Sequence, residues 1–143
     1  MNALKVLNDF KLVIEINVAW IDMDSLGHVN SSKYFTYFES ARIAYFDNLK
    51  LLEIFAENKI AGILATNECS YIKPLFYPDN LKVGARVSGI SNYDLTMEYF
   101  IESSASGLSA IGGSNIVFFD FNSNKKIDIP TEIIEQIRKF ENL

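Results

Sequence analysis

Residues 31–49 read SSKYFTYFESARIAYFDNL, and the spacing of their apolar side chains decides the fold. Drawn on a helical wheel, much of this apolar surface falls within one arc of roughly 140°. The arc contains Tyr34, Tyr37, Phe38, Ala41, Ala44, Tyr45 and Leu49. The opposite side carries charged residues, but Phe35, Ile43 and Phe46 interrupt it. We therefore predict one long amphipathic helix that other parts of the protein cover on more than one side.

The segments around this helix have the alternating pattern of β-strands. Before it, residues 11–20 alternate with a period of two, which predicts a first strand that includes Trp20. After a short helical or irregular piece, the pattern predicts further strands and turns. These are a piece at 51–58, strands at 62–73, 81–88, 95–102 and 108–121, and turns at 75–80 and 122–126.

Two details of the later chain carry structural information. Gly112 and Gly113 interrupt the last long strand, which suits either a β-bulge or a close approach of the backbone to another group. Pro130 suits the first turn of a final helix, because its missing N–H has no helical partner there. That helix would place Ile133, Ile134, Ile137 and Phe140 on one side.

The order of these elements predicts the α+β class. Consecutive strands joined by short turns pair antiparallel, whereas a doubly wound parallel sheet needs a helix between paired strands. One curved antiparallel sheet wrapped around the 31–49 helix would bury the aromatic arc together with the apolar strand faces. With 143 residues and no linker-like segment, we expect a single domain, 1–143.

Composition and charge exclude several classes of protein. A hydrophobic content of 49% with 22% charged residues is typical of a packed globular protein. Cys69 is the only cysteine, the first residues lack a secretory leader pattern, and no apolar run could span a membrane, so we expect a cytoplasmic location. A net charge of −5, with thinly spread Lys and Arg, argues against nucleic-acid binding.

Residues 22–30, DMDSLGHVN, place a reactive acid directly before the predicted helix. Asp24 could attack a carbonyl or activate water, and Gly27 would allow a positive φ in the turn. An N-terminal helix end stabilises an oxyanion through its free N–H groups and its dipole. The alternative interpretation is that Asp24 only accepts hydrogen bonds from turn amides.

The start of the helix would supply the oxyanion donors. Asn30 is a candidate N-cap, which would place the backbone N–H groups of Ser31 and Ser32 in the first helical turn. Asp22 is expected to be structural, and two aspartates are too few ligands to predict a metal site.

Residues 22–42 as a whole resemble the signature DxDxxGHVNNxxYxxxxExxR of hot-dog fold acyl-CoA thioesterases related to 4-hydroxybenzoyl-CoA thioesterase. The segments YIKPLFYPDNLKV at 71–83 and FFDFNSNKKIDIP at 118–130 also resemble this family, so the similarity covers nearly the full chain. It implies a hot-dog fold and hydrolysis of an acyl-CoA or acyl carrier protein thioester. It also implies a homodimer or a dimer of dimers with shared sites, and no cofactor besides the coenzyme A of the substrate.

The resemblance implies a role for several residues. Asp24 would be the catalytic carboxylate, as nucleophile or as general base, and Tyr34 would line the acyl pocket. His28 matches the family histidine of the GHVN turn and is a hydrogen-bonding or substrate-contacting candidate. Other branches have a histidine where this chain has Ser31, so the reaction would depend on Asp24.

Charged residues elsewhere are weaker candidates. Lys73, Lys82 and Arg86 could contact the phosphates of coenzyme A or of an acyl carrier protein. Glu39 and Arg42 are spaced to form an ion pair on the helix surface.

Two other functions remain open at this point. A non-catalytic hot-dog module that binds an acyl thioester would not need Asp24. A hot-dog dehydratase or hydratase would need a catalytic histidine paired with an acid, and the place of His28 in the turn gives this little support.

Overall fold

The computed structural model describes residues 7–143, which form one antiparallel sheet wrapped around a helix. The predicted domain 1–143 and the expectation about a leader include residues 1–6, which lie outside the described residues. The helices are α1 (Lys33–Asn48), α2 (Leu51–Asn58) and α3 (Thr131–Glu141). The strands are β1 (Leu12–Asn17), β2 (Ile60–Tyr71), β3 (Asn80–Ile90), β4 (Asp94–Ser103), β5 (Gly107–Asp120) and β6 (Lys125–Ile127). The sheet order is β1-β3-β4-β5-β2, and β6 also pairs with β5.

Helix α1 touches every one of the five long strands. It packs against β1, β2 and β3. Its Phe38 side chain stacks on Tyr99 of β4, with ring centroids 4.9 Å apart, and also lies against Gly112 of β5. All but two residues of the predicted arc are buried, and Ala44 and Leu49 are half-buried. The predicted α+β class, in the hot-dog arrangement of a curved sheet around a central helix, is confirmed.

The strand faces that cover α1 show the predicted alternation. Leu81, Val83, Ala85 and Val87 of β3 are all buried, as are Leu95, Met97, Tyr99 and Ile101 of β4. At the other end of the chain, α3 buries Ile133 and Ile137 completely, while Ile134 and Phe140 pack partly buried against the core. Because the buried residues recur at the spacing of a strand or a helix, the strands and the last helix could be predicted from the spacing of apolar residues alone.

The structure corrects several predicted boundaries. Strand β1 ends at Asn17, and Trp20 begins a short 3₁₀ turn with 74% of its surface exposed, so the predicted strand 11–20 was too long. Helix α1 begins at Lys33 instead of Ser31. Pro130 is the N-cap of α3, just outside the helix. Part of the predicted turn 122–126 is strand β6.

Gly112 marks a close approach of the backbone to a side chain, and neither Gly112 nor Gly113 lies at a bulge. A Cβ atom on Gly112 would lie 2.3 Å from a ring carbon of Phe38. The irregular steps of the sheet fall elsewhere, between Leu64 and Thr66 in β2 and in the β3–β4 and β4–β5 pairs. Of the two alternatives given by the sequence, the close approach is confirmed for Gly112 and the bulge is wrong.

Strands β1 and β2 are the two edges of the sheet. Strand β2 is 12 residues long, and most of its side chains are exposed, including Ile63, Leu64 and Tyr71. Within residues 7–143 there is no helix with the length and apolar character that crossing a membrane requires.

Candidate active site

The turn that precedes α1 is closed by its own backbone hydrogen bonds. The N–H of Asp24 donates to the carbonyl of His28 at 2.8 Å, and the N–H of Gly27 donates to the carbonyl of Asp24 at 3.2 Å. Gly27 has a φ of +87°, the left-handed conformation that the sequence predicted there. The N–H of Val29 donates to the carbonyl of Leu75 at 2.8 Å, which attaches the turn to the segment after β2.

The two carboxylate oxygens of Asp24 have different surroundings. Oδ1 accepts a hydrogen bond from the N–H of Leu26 at 2.8 Å, which is the turn-stabilising role considered above. Oδ2 lies 3.4 Å from Nδ1 of His28, and that nitrogen is also 3.3 Å from the carbonyl oxygen of Val29. The turn therefore fixes the carboxylate through one oxygen and leaves the second beside a half-buried imidazole.

Asp22 has a structural set of contacts. Its Oδ2 accepts hydrogen bonds from the N–H of Ala19 at 3.0 Å and from the Tyr37 hydroxyl at 2.8 Å. Its carbonyl accepts the N–H of Asn30 at 2.9 Å. Burial, and then the bond to Asp22, raise the pKa of Tyr37, so its hydroxyl remains a donor. Asp22 thus joins the 3₁₀ turn, the helix and the loop between them.

The helix start differs from the prediction in one respect that matters for chemistry. Ser32, and not Asn30, is the N-cap of α1. Asn30 Oδ1 accepts hydrogen bonds from the N–H of Ser32 at 2.9 Å and from the Ser32 hydroxyl at 2.8 Å. The N–H of Ser31 has no acceptor among residues 7–143. Of the two predicted oxyanion donors, Ser32 is occupied and Ser31 is free.

A pocket of about 320 Å³ opens beside this turn. Its walls are Asp24, His28, Val29, Ser31, Tyr34, Tyr71, Ile72, Lys73 and Pro74. The structure thus brings five predicted site residues together, and Gly27, Asn30 and Ser32 belong to the adjoining turn. The Tyr34 hydroxyl accepts the N–H of Leu75 at 3.2 Å, and burial raises the pKa of Tyr34. Lys73 donates from Nζ to the carbonyl of Ser106 at 2.8 Å.

Two of the predicted phosphate contacts are elsewhere. Lys82 and Arg86 lie on β3, and neither lines this pocket. Arg86 forms a 2.9 Å ion pair with Glu98, and its guanidinium carbon lies 4.9 Å from the ring centroid of Phe10. Lys82 is exposed, between Glu15 and Glu102 in the sheet register. The structure does not bring either side chain to the site.

The predicted pair of Glu39 and Arg42 is present, but Arg42 is more buried than a residue on the helix surface would be. The closest nitrogen and oxygen are 3.8 Å apart. Arg42 is buried and also donates to the Tyr99 hydroxyl at 3.2 Å. This arginine therefore connects α1 with the sheet as well as with its neighbour on the helix.

The sequence did not single out Val29, Tyr71, Ile72 or Pro74 as pocket residues, and of these Tyr71 has a polar contact with the helix start. It lies at the end of β2, its hydroxyl donates to the carbonyl of Ser31 at 2.8 Å, and its ring packs edge-on against Tyr34. The only available signal was its place in the YIKP segment that resembles the family. In the described part of the chain, no three His, Cys, Asp or Glu side chains cluster closely enough to hold a metal.

The arrangement places Asp24 and Ser31, whose N–H has no acceptor among residues 7–143, on the wall of one pocket. The carboxylate can act as a nucleophile or a general base. The free N–H lies at the positive end of α1 and can stabilise negative charge on a carbonyl oxygen. These groups suit attack on an activated acyl carbon.

Known proteins share this fold and parts of this sequence. The uncharacterized protein YsmA of Bacillus subtilis (strain 168) is 30% identical over 94 residues, which are 65% of this chain and 62% of YsmA. The chain thus spans less than two thirds of the length of that curated relative. A thioesterase from Thermus thermophilus, crystallised with coenzyme A and Zn, is 29% identical with a TM-score of 0.81, covering 96% of this chain and 99% of that one.

A second solved structure supports the fold alone. The DHNA-CoA thioesterase from Staphylococcus aureus has a TM-score of 0.82 at 23% identity, covering 92% of this chain and 91% of that one. The strongest assignment comes from the sequence model of the thioesterase-like superfamily, which matches residues 18–137 and so includes the turn, α1 and the whole pocket. The chain belongs to the thioesterase-like superfamily.

Proposed function

We propose that this protein hydrolyses an acyl thioester of coenzyme A or of acyl carrier protein to a free acid and a thiol. The observation that carries the proposal is one pocket lined by both Asp24 and Ser31, whose N–H has no acceptor among residues 7–143. Membership of the superfamily and the similarity to the coenzyme A complex of the Thermus thioesterase support it. The coenzyme A is part of the substrate, and we propose no separate cofactor.

In the proposed reaction, Asp24 acts on the thioester carbonyl carbon. As a general base it takes a proton from water while the water oxygen attacks; as a nucleophile it forms a mixed anhydride that water then hydrolyses. The N–H of Ser31 donates to the oxyanion, and the C–S bond breaks when the tetrahedral intermediate collapses. A thiolate leaves without prior protonation, so a separate general acid is unnecessary. His28 lies beside Asp24 Oδ2, where it can orient the carboxylate.

The working unit in this proposal is a homodimer or a dimer of dimers. The exposed edge strand β2 carries apolar side chains, and such an edge is normally protected or paired. It ends at Tyr71, on the wall of the pocket. A second copy that covers β2 would therefore also lie beside Tyr71 and the pocket.

Thiol release from a panel of acyl-CoA and acyl carrier protein thioesters tests the proposal. Asp24→Asn preserves the shape and the hydrogen bond from Leu26 but removes the charge. We expect it to lower the rate by about 100-fold or more, as is typical when a general base or nucleophile is lost. Asp47→Asn, an exposed change on α1, is the matched control and should retain the parent rate.

Two results would contradict the assignment. An Asp24→Asn protein with close to the parent rate would show that Asp24 is not the reacting group. A parent protein that binds acyl-CoA but releases no thiol from any member of the panel would favour the non-catalytic binding module. Asp22→Asn should cost less activity and more stability than Asp24→Asn, since Asp22 accepts two structural hydrogen bonds.

A further inference from the structure

Tyr71 joins the end of β2 to the start of α1. Its hydroxyl donates to the carbonyl of Ser31 at 2.8 Å, across 40 residues of sequence. Its ring meets Tyr34 edge-on, with centroids 4.8 Å apart and an interplanar angle of 79°. Tyr34 is itself anchored, because its hydroxyl accepts the N–H of Leu75. The Tyr71 hydroxyl is thus held in place by packing that does not depend on its own hydrogen bond.

The peptide group between Ser31 and Ser32 is held at both of its polar atoms. Tyr71 binds its carbonyl oxygen, and Asn30 Oδ1 accepts its N–H at 2.9 Å. In a regular α-helix the Ser31 carbonyl would accept the N–H of Phe35. Here the N–H of Phe35 donates instead to Ser32, at 3.3 Å. Ser31 therefore stays outside the helix, in the turn that lines the pocket.

We propose that Tyr71 is a positioning residue that keeps Ser31 out of the first turn of α1, so that the Ser31 N–H is directed at the substrate carbonyl. The inference rests on the proposed thioester hydrolysis. Without the Tyr71 hydroxyl, the Ser31 carbonyl can accept the N–H of Phe35, and the planar peptide units on either side of Ser31 must then rotate. The oxyanion donor would remain present but point in a different direction.

The Tyr71 hydroxyl is protonated at neutral pH and can therefore donate a hydrogen bond. Burial, followed by the neighbouring Cys69, raises the pKa of Tyr71, so the group stays protonated around neutral pH. The hydroxyl therefore remains able to donate to the Ser31 carbonyl at neutral pH.

Tyr71→Phe tests this role because it preserves the ring and removes only the donor. We expect kcat for thiol release to fall by roughly tenfold, below the loss seen when an oxyanion donor itself is deleted. KM should stay within about twofold, since ground-state binding does not depend on the oxyanion contact. Tyr93→Phe, at an exposed tyrosine outside the pocket, is the matched control and should leave both constants unchanged.

A second measurement is independent of turnover. The carbonyl ¹³C chemical shift of Ser31 should change in Tyr71→Phe and not in Tyr93→Phe, since only the first removes a hydrogen bond from that carbonyl. An unchanged kcat, or a raised KM with unchanged kcat, would overturn the positioning role. If the parent hydrolyses no thioester, the proposed function fails separately, and an unchanged Ser31 shift would then reject the Tyr71 contact itself.

Discussion

At the scale of single residues, Gly112 shows how a missing side chain fixes the position of the central helix. Phe38 lies directly over it, is fully buried, and stacks on Tyr99 with an interplanar angle of only 13°. An alanine at position 112 must therefore push α1 away from the sheet or force Phe38 into a strained rotamer.

We expect Gly112→Ala to lower the free energy of unfolding by about 1–3 kcal/mol, the usual cost of overpacking a core. Gly113→Ala is the matched control, because its Cβ would come no closer than 3.3 Å, to a flexible Glu68 side-chain oxygen. Urea denaturation followed by circular dichroism measures both. Equal stability of the two variants would mean that the Phe38 contact does not restrict position 112.

The residue scale also shows what the sequence could reveal about the site. Asp24, Gly27, His28 and Ser31 were identifiable because they lie within one short stretch next to a recognisable helix start. Tyr71 was not, since its contact with Ser31 depends on how β2 returns to the helix. The roles of Asp24 and Tyr71 stay predictions, which the Asp24→Asn and Tyr71→Phe variants test.

At the scale of elements, the spacing of apolar residues was sufficient to predict a helix or strand wherever those residues form one buried face. The strands β3 and β4 and the helix α1 were predicted closely, since one face of each is buried throughout. The end of β1 was misplaced because alternation continues through Val18 to Trp20. There the side chain of Asp22 accepts a hydrogen bond from the N–H of Ala19, and a 3₁₀ turn begins instead of a longer strand. The alternating pattern of apolar residues does not predict this hydrogen bond.

The side chain of Asn30 is expected to stabilise the start of α1. Asn30 Oδ1 accepts both the N–H and the hydroxyl of Ser32, so Asn30→Ala leaves an N-terminal N–H of the helix region without its acceptor. We expect a loss of about 1 kcal/mol in the free energy of unfolding, the size typical of a side chain that accepts a backbone N–H at a helix start. Asn48→Ala, at the exposed last residue of α1, serves as control in the same thermal or urea titration. A neutral Asn30→Ala would mean that water replaces the asparagine without cost.

At the scale of the whole molecule, the fold followed from two constraints in the sequence. An aromatic helix needed covering on several sides, and consecutive alternating strands were available to cover it. Those constraints do not say which sheet edge meets a second copy, because that depends on which strand is left outermost. The structure leaves β1 and β2 there.

We expect a sedimentation mass of at least two chains, with β2 in the contact. A lysine on an edge strand opposes pairing, so Leu64→Lys should reduce the mass toward one chain and lower the thioesterase rate with it. Ser123→Lys, in the exposed turn before β6, should leave both unchanged. A parent protein that is a monomer at micromolar concentration and still turns over substrate would contradict the shared-site proposal.

The pocket draws on two separate stretches of chain, and this separation has an evolutionary consequence. In the proposed reaction, the reacting carboxylate and amide both come from residues 24–31, whereas much of the remaining wall comes from residues 71–74. Under that proposal, we expect substitutions at Ile72 or Lys73 to change the acyl group or carrier that is accepted, while Asp24 and Ser31 keep their positions. We therefore expect related proteins with this architecture to differ in substrate while they keep the same reaction, provided that Tyr71 continues to connect the two stretches.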